Sequence, residues 1–161
     1  MKLEGSCHCR AVTFTVESTT PVPYQRCYCS ICRKTQGGGG YAINLGADSA
    51  TLEVEGRDAI TIYHARLEGG GVSEAERHFC KHCGSALWLY DKRWPHLLHP
   101  HASAIDTDLP KPDEVVHMML EFKASWVDVP EGPNHVHFQG YPGRSAEVWH
   151  DRQLSRDREE S

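Results

Sequence analysis

The chain has 161 residues, room for one domain and tight for two. Its formal net charge of −5, without a dense Lys/Arg cluster, argues against a nucleic-acid surface, and no run of about 18 apolar residues is present to span a membrane. An apolar content of 39% allows a core with little to spare, and the lack of an apolar leader before the first cysteine points to a cytoplasmic protein.

In chain order, Cys7-His8-Cys9 comes first; on an extended chain, side chains two apart share a face, so both thiols can turn to one side. Val12, Phe14 and Val16 then alternate with Thr13, Thr15 and Glu17, the pattern of a half-buried strand. Residues 19–23, with two prolines, break it. Cys27-Tyr28-Cys29-Ser30-Ile31-Cys32 follows, with three sulfurs in six residues. A helical turn is predicted over residues 29–36, ended by Gly37-Gly38-Gly39-Gly40. Residues 41–45 form a short apolar run, and residues 51–56 and 59–63 read as neighbouring strands around a turn. Gly69-Gly70-Gly71 marks a loop, and Arg77-His78-Phe79 leads into Cys80-Lys81-His82-Cys83-Gly84, where the glycine suits a tight turn and His82 is expected to face outward. Residues 85–90 read as a strand. The second half is rich in X-Pro turns. Its brief helical periodicity lies at residues 112–122, and apolar runs over 115–126 are expected to pack back on a sheet. The expected organisation is one domain over residues 1–150 with a flexible tail at 151–161.

The seven cysteines all lie within three residues of another cysteine. An odd number cannot close a full disulfide set, and a reducing compartment disfavours disulfides. Inert buried thiols, a redox Cys-x-x-Cys pair and an iron–sulfur cluster are weaker readings, because the residues are clustered, the βαβ context is missing and the spacing differs. Zinc remains. Cys80 and Cys83 form a knuckle that presents two sulfurs to one ion, and Cys7 with Cys9 supplies two more, giving the four thiolates of a closed structural site. Cys27, Cys29 and Cys32 leave a fourth position for water or substrate, the arrangement of a catalytic zinc, unless a histidine closes it. Eleven histidines are present, with alternating sets at His96, His99 and His101 and at His135 and His137; ordinary hydrogen bonding is the expectation for them. Tyr28 and Ser30 flank the ligands and are placed to donate hydrogen bonds to sulfur.

Gly5-Ser6-Cys7-His8-Cys9, Cys27-Tyr28-Cys29-Ser30-Ile31-Cys32-Arg33-Lys34 and Phe79-Cys80-Lys81-His82-Cys83-Gly84 resemble, in order and spacing, the glutathione-dependent formaldehyde-activating enzyme family, whose domain also occurs in centromere protein V. Ala104-Ile105-Asp106 and Lys123-Ala124-Ser125-Trp126-Val127 extend the likeness, which covers roughly residues 3–130. The resemblance implies a mainly β, Mss4-like β-tent of folded antiparallel sheets. It implies two Zn²⁺ per chain, a structural one on Cys7, Cys9, Cys80 and Cys83 and a catalytic one on Cys27, Cys29 and Cys32. It also implies a carbon–sulfur lyase that joins a small thiol such as glutathione to formaldehyde or a related aldehyde. The glycine-rich 37–40 stretch and the chain beyond Trp126 depart from the family pattern and bear on the substrate pocket. Arg33 and Lys34 are candidates to meet substrate carboxylates, and backbone N–H groups of residues 37–40 can approach a ligand. The rival function is a zinc-stapled β domain that binds a protein partner without catalysis.

Overall fold

The computed structural model describes residues 1–143; the expected tail and the last residues of the expected domain lie outside the described residues. Strands β1 (Lys2–Ser6) and β2 (Thr13–Glu17) pair antiparallel, Leu3 opposite Val16 and Gly5 opposite Phe14. Alternation does the work expected of it: Leu3, Phe14 and Val16 are buried, while Lys2, Glu4 and Glu17 are exposed. A short strand β6 (Glu53–Glu55) completes this sheet on the far side of β2.

A five-stranded antiparallel sheet carries the middle of the chain, in the order β5-β10-β9-β8-β7. Its elements are β5 (Ala47–Asp48), β7 (Ile60–Arg66), β8 (Val72–Cys80), β9 (Ala86–Tyr90) and β10 (Leu97–Pro100). The β7–β8 hairpin turns at the three glycines, and β8 runs straight into the Cys80–Cys83 knuckle before β9 returns beside it. Leu87, Trp88 and Leu98 from this sheet pack with Leu3, Val12, Phe14 and Val16 in one core cluster. Phe14 and Trp88 meet edge to face at 5.0 Å between ring centroids.

The third sheet is mixed, in the order β12-β11-β3-β4, with β3 (Gln25–Cys27), β4 (Ala42–Ile43), β11 (Val115–Met118) and β12 (His135–His137). The fold is therefore mainly β with antiparallel sheets, as expected, but β11 runs parallel to both β3 and β12, which the antiparallel expectation did not contain. The one α-helix among the described residues, α1 (Ser30–Gln36), links β3 to β4. No helix among the described residues is long and apolar enough to cross a membrane.

Two local expectations are corrected. Residues 53–55 and 60–66 do not pair with each other: β6 joins β2, whereas β7 joins β8. Gly56, at φ 75°, starts a 3-10 turn (Arg57–Ala59) that swings the chain from one sheet to the next, and a side chain there would strike the Ala11 carbonyl. Residues 112–122 are not helical but form β11 and a 3-10 turn (Leu120–Phe122). Val116, His117 and Met118 are buried in succession, so this central strand shows no polar alternation and its apolar run mimics a helix face.

Candidate metal centres and the cleft beside them

The four-cysteine cluster forms where two turns meet. Cys7 and Cys9 are not on an extended segment, as the i, i+2 argument expected, but in the β1–β2 turn. The Arg10 N–H donates to the Cys7 carbonyl (3.0 Å), and Arg10 takes φ 64°. Curling the chain does what extension was expected to do, leaving the two sulfurs 3.6 Å apart. Opposite, the Gly84 N–H closes the knuckle on the Cys80 carbonyl (2.8 Å), with Gly84 at φ 75°. The His8 N–H donates to Ser85 Oγ (3.0 Å) and ties one turn to the other. Cys9 Sγ lies 3.8 Å from Cys80 Sγ. Four thiolates about 2.3 Å from a tetrahedral zinc stand about 3.8 Å apart, so the sulfur spacing fits that ion. Hydrogen bonding by Ser85 to the Cys83 sulfur (3.2 Å), with help from the Cys9 backbone, holds that thiol down at about 5. Cys7 and Cys80 are buried in the main core, while Cys9 and Cys83 are exposed. His82 is exposed, as expected.

The three-cysteine cluster is built differently. Cys27 ends β3, Cys29 caps α1, and Cys32 lies in the first turn of that helix. The Cys32 N–H donates to Cys29 Sγ (3.3 Å), as a helix start requires of its capping residue. All three sulfurs lie within 4.8 Å of one another, and all seven cysteines are free. Hydrogen bonds from the Cys27 and Cys32 thiols pull Cys29 down to about 2, and the same bond to Cys29 pushes Cys27 up. Cys27 and Cys32 are buried and Cys29 half-buried, packed with Ala42 and Met118 in a second, smaller core cluster. Among the described residues no histidine, aspartate or glutamate joins this trio as a fourth ligand.

Arg77, on β8, brings its Nη2 to 3.9 Å from Cys32 Sγ. Its Nε and Nη1 are buried without a hydrogen-bond partner, as are both amide atoms of Gln36. A groove of about 770 Å³ opens at the four-cysteine cluster beside Cys7 and runs along α1, lined also by His8, Arg10, Arg33, Lys34, Gly37 and Gly38. The structure thus places both cations expected to meet carboxylates, and two of the four glycines, on one wall. Beside it lies a cavity of about 220 Å³ that shares Thr35, Gln36, Gly84 and Ala86 with the groove and adds Arg77 and His101.

Tyr28 does not point at sulfur. It is fully buried, and its hydroxyl pairs with His117 Nδ1 (2.8 Å), whose Nε2 pairs with His135 Nδ1 (2.9 Å). A neutral His117 protonated on Nε2 satisfies both bonds, accepting from Tyr28 and donating to His135. Burial, with the nearby Arg26 charge next in size, lowers its pKa to about 4. His99 and His101 also make ordinary hydrogen bonds, to the Leu45 carbonyl and to Asn44 Oδ1 (both 3.0 Å). Arg77, Gln36 and His117 carried no signal in the sequence reading. The one available clue was a lone arginine three residues before Cys80, in a strand that ends in a cysteine knuckle.

The family model described as glutathione-dependent formaldehyde-activating enzyme matches residues 2–121. A protein of Halomonas elongata, provisionally named a glutathione-dependent formaldehyde-activating enzyme, is 57% identical over 152 residues, 94% of this chain and 96% of its own. Among solved structures, the crystal structure of a Rhodobacter sphaeroides protein aligns with a TM-score of 0.53 and 28% identity, covering 68% of this chain and 92% of that one. With the cysteine turns arranged as described and a relative matched almost end to end, the chain belongs to the glutathione-dependent formaldehyde-activating enzyme family.

Proposed function

We propose that the protein is a zinc-dependent carbon–sulfur lyase that forms or splits the adduct of a small thiol, such as glutathione, with formaldehyde or a related aldehyde. One observation carries the reading: the seven cysteines gather into two clusters of unequal valence, four sulfurs in one and, in the other, three without a fourth protein ligand among the described residues. In this reading Cys7, Cys9, Cys80 and Cys83 hold a structural zinc, and Cys27, Cys29 and Cys32 hold a catalytic one. The names carried by the family and the Halomonas relative support the choice of thiol and aldehyde.

When bound, zinc at the three-cysteine cluster supplies an open coordination position at which a thiol loses its proton more readily. The protein's own residues set the character of that position. Three thiolates give a doubly charged ion a net charge of −1, which weakens it as a Lewis acid and suits it to holding a thiolate over activating water. Arg33 and Lys34 present positive charge along the groove, where substrate carboxylates would orient the thiol. In the forward reaction a C–S bond forms at the aldehyde carbon, the carbonyl π pair moves to oxygen, and that oxygen takes a proton equivalent to the one the thiol lost. The reverse reaction returns thiol and aldehyde.

The test joins metal analysis to turnover. Freshly purified protein is expected to contain two zinc equivalents, and to form S-(hydroxymethyl)glutathione from glutathione and formaldehyde faster than the uncatalysed reaction by NMR. Cys29→Ser is expected to abolish the acceleration while the fold persists. Turnover unchanged by that substitution would remove the reading.

A further inference from the structure

We infer that the small cavity lined by Arg77, whose guanidinium also reaches Cys32, is a carboxylate subsite, in which Arg77 and Gln36 bind an acidic group of the thiol substrate. The inference rests on the functional reading above and assigns residues that the sequence motifs do not reach.

Arg77 sits opposite Tyr63 on β7 and Leu89 on β9, in the interior of the five-stranded sheet. A guanidinium in such a place ordinarily meets a carboxylate, because a buried cation without a hydrogen-bonded partner is strongly disfavoured. Arg77 has no such partner among the described residues. Its only polar contact is the long one to Cys32 Sγ, and Nε and Nη1 are left with none. Gln36 repeats the pattern, with a buried amide whose nitrogen and oxygen are both unmatched. It stands four residues after Cys32, and so on the same face of α1. Both side chains line the 220 Å³ cavity, and Gln36 also lines the groove that opens from it. Arg77 and Gln36 thus bring three unmatched donor nitrogens close to one space, beside the equally unmatched His78 Nδ1, and no lining residue supplies an acid; such surroundings are complementary to an anion. His101 in the same lining adds no charge, since burial and then the Arg77 cation lower its pKa to about 3.

The short path from Arg77 Nη2 to Cys32 Sγ specifies what kind of anion. A ligand whose sulfur occupies the three-cysteine centre needs only a short spacer to reach the cavity, so the acid and the thiol belong to one molecule. Arg33 and Lys34, on the groove wall, remain free for a second acidic group.

The test uses zinc-loaded protein and two thiols of similar length, 3-mercaptopropionate and 2-mercaptoethanol, titrated by calorimetry. The wild type is expected to bind the acid at least tenfold more tightly than the alcohol. In Arg77→Met the ratio should fall below twofold, with two zinc equivalents and the near-ultraviolet circular dichroism retained. Gln36→Leu, at the end of a helix and less exposed to misfolding, should lower the ratio about threefold. If Arg77 served only as counter-charge to the thiolates, Arg77→Met would weaken both thiols together and leave the ratio intact; that result overturns the inference. Equal affinity of the wild type for both thiols overturns it too, while leaving the proposed activity standing. If neither thiol binds, the activity fails and the subsite with it.

Discussion

The two cysteine clusters invert the relation between valence and exposure. The four-sulfur cluster, complete in protein ligands, has two of its corners on the surface at Cys9 and Cys83. The three-sulfur cluster, without a fourth protein ligand among the described residues, is the more deeply placed, with Cys27 and Cys32 buried. The difference follows from what each one joins. The first staples the β1–β2 turn to the end of β8, so half of its ligands come from surface turns. The second lies along a single stretch at the start of α1, roofed by Met118 and faced by Arg77. On the proposed reading the contrast is one of role: a structural cross-link needs only to hold, whereas a reaction centre needs a shielded and polar surrounding in which charge is felt strongly.

The comparison can be broken most sharply at Cys80, one of the two buried corners of the four-sulfur cluster. A structural zinc is worth on the order of 10 kcal/mol, similar to the whole stability of a small domain. Cys80→Ala is therefore expected to leave the protein unfolded at 25 °C, read by far-ultraviolet circular dichroism; a cooperative transition near the wild-type midpoint would show that the cluster does not hold the sheets together. Next in size is the contrast with Cys29. Cys29→Ser should lower turnover by about 10³-fold or more, the scale on which a catalytic ligand acts, yet shift the urea midpoint far less than Cys80→Ala. Equal destabilisation by the two changes would erase the distinction between staple and centre.

A third way to sharpen it is pH. His101 and His117 are neutral when folded, with pKa values lowered to about 3 and about 4, first by burial. The unfolded chain, with imidazoles near 6.5, binds more protons, so stability rises with pH. This contribution is fully present above about pH 7 and is lost as pH falls from about 6.5 through 4 to 3. The urea midpoint, recorded with zinc in excess, should decline between pH 7.5 and 5, and a flat profile would contradict the burial of these rings. The smallest effect expected is that of Tyr28→Phe. It leaves the buried His117 Nδ1 without its donor, a loss of about 1–3 kcal/mol. Because Tyr28 points away from the sulfurs, turnover should change by less than the Cys29→Ser loss by at least two orders of magnitude.

How far the fold was legible depended on whether the deciding contacts were local. The β1–β2 strands, the helical turn at residues 29–36 and the glycine-terminated knuckle were readable because alternation, capping and turn chemistry act within a few residues. The strand at residues 115–118 was not, since it is buried on both faces and sheds the alternation that marks a strand. The separation of β6 from β7 was hidden for another reason: a turn signal says that the chain reverses, not which sheet receives it. Tyr28 looked like a sulfur donor by adjacency, but its ring turns instead to a histidine 89 positions away.

By itself the sequence determined the chemistry available: seven thiols in three clusters, and a valence count that divides them four and three. Metal-ligand spacing is local, because two or three residues of chain set how close two sulfurs can come. Only the tertiary structure decided which cluster would be buried, and that a residue 45 positions from Cys32 would bring a guanidinium beside it. Burial and long-range pairing are properties of the packed chain, summed over many contacts, and no short motif carries them.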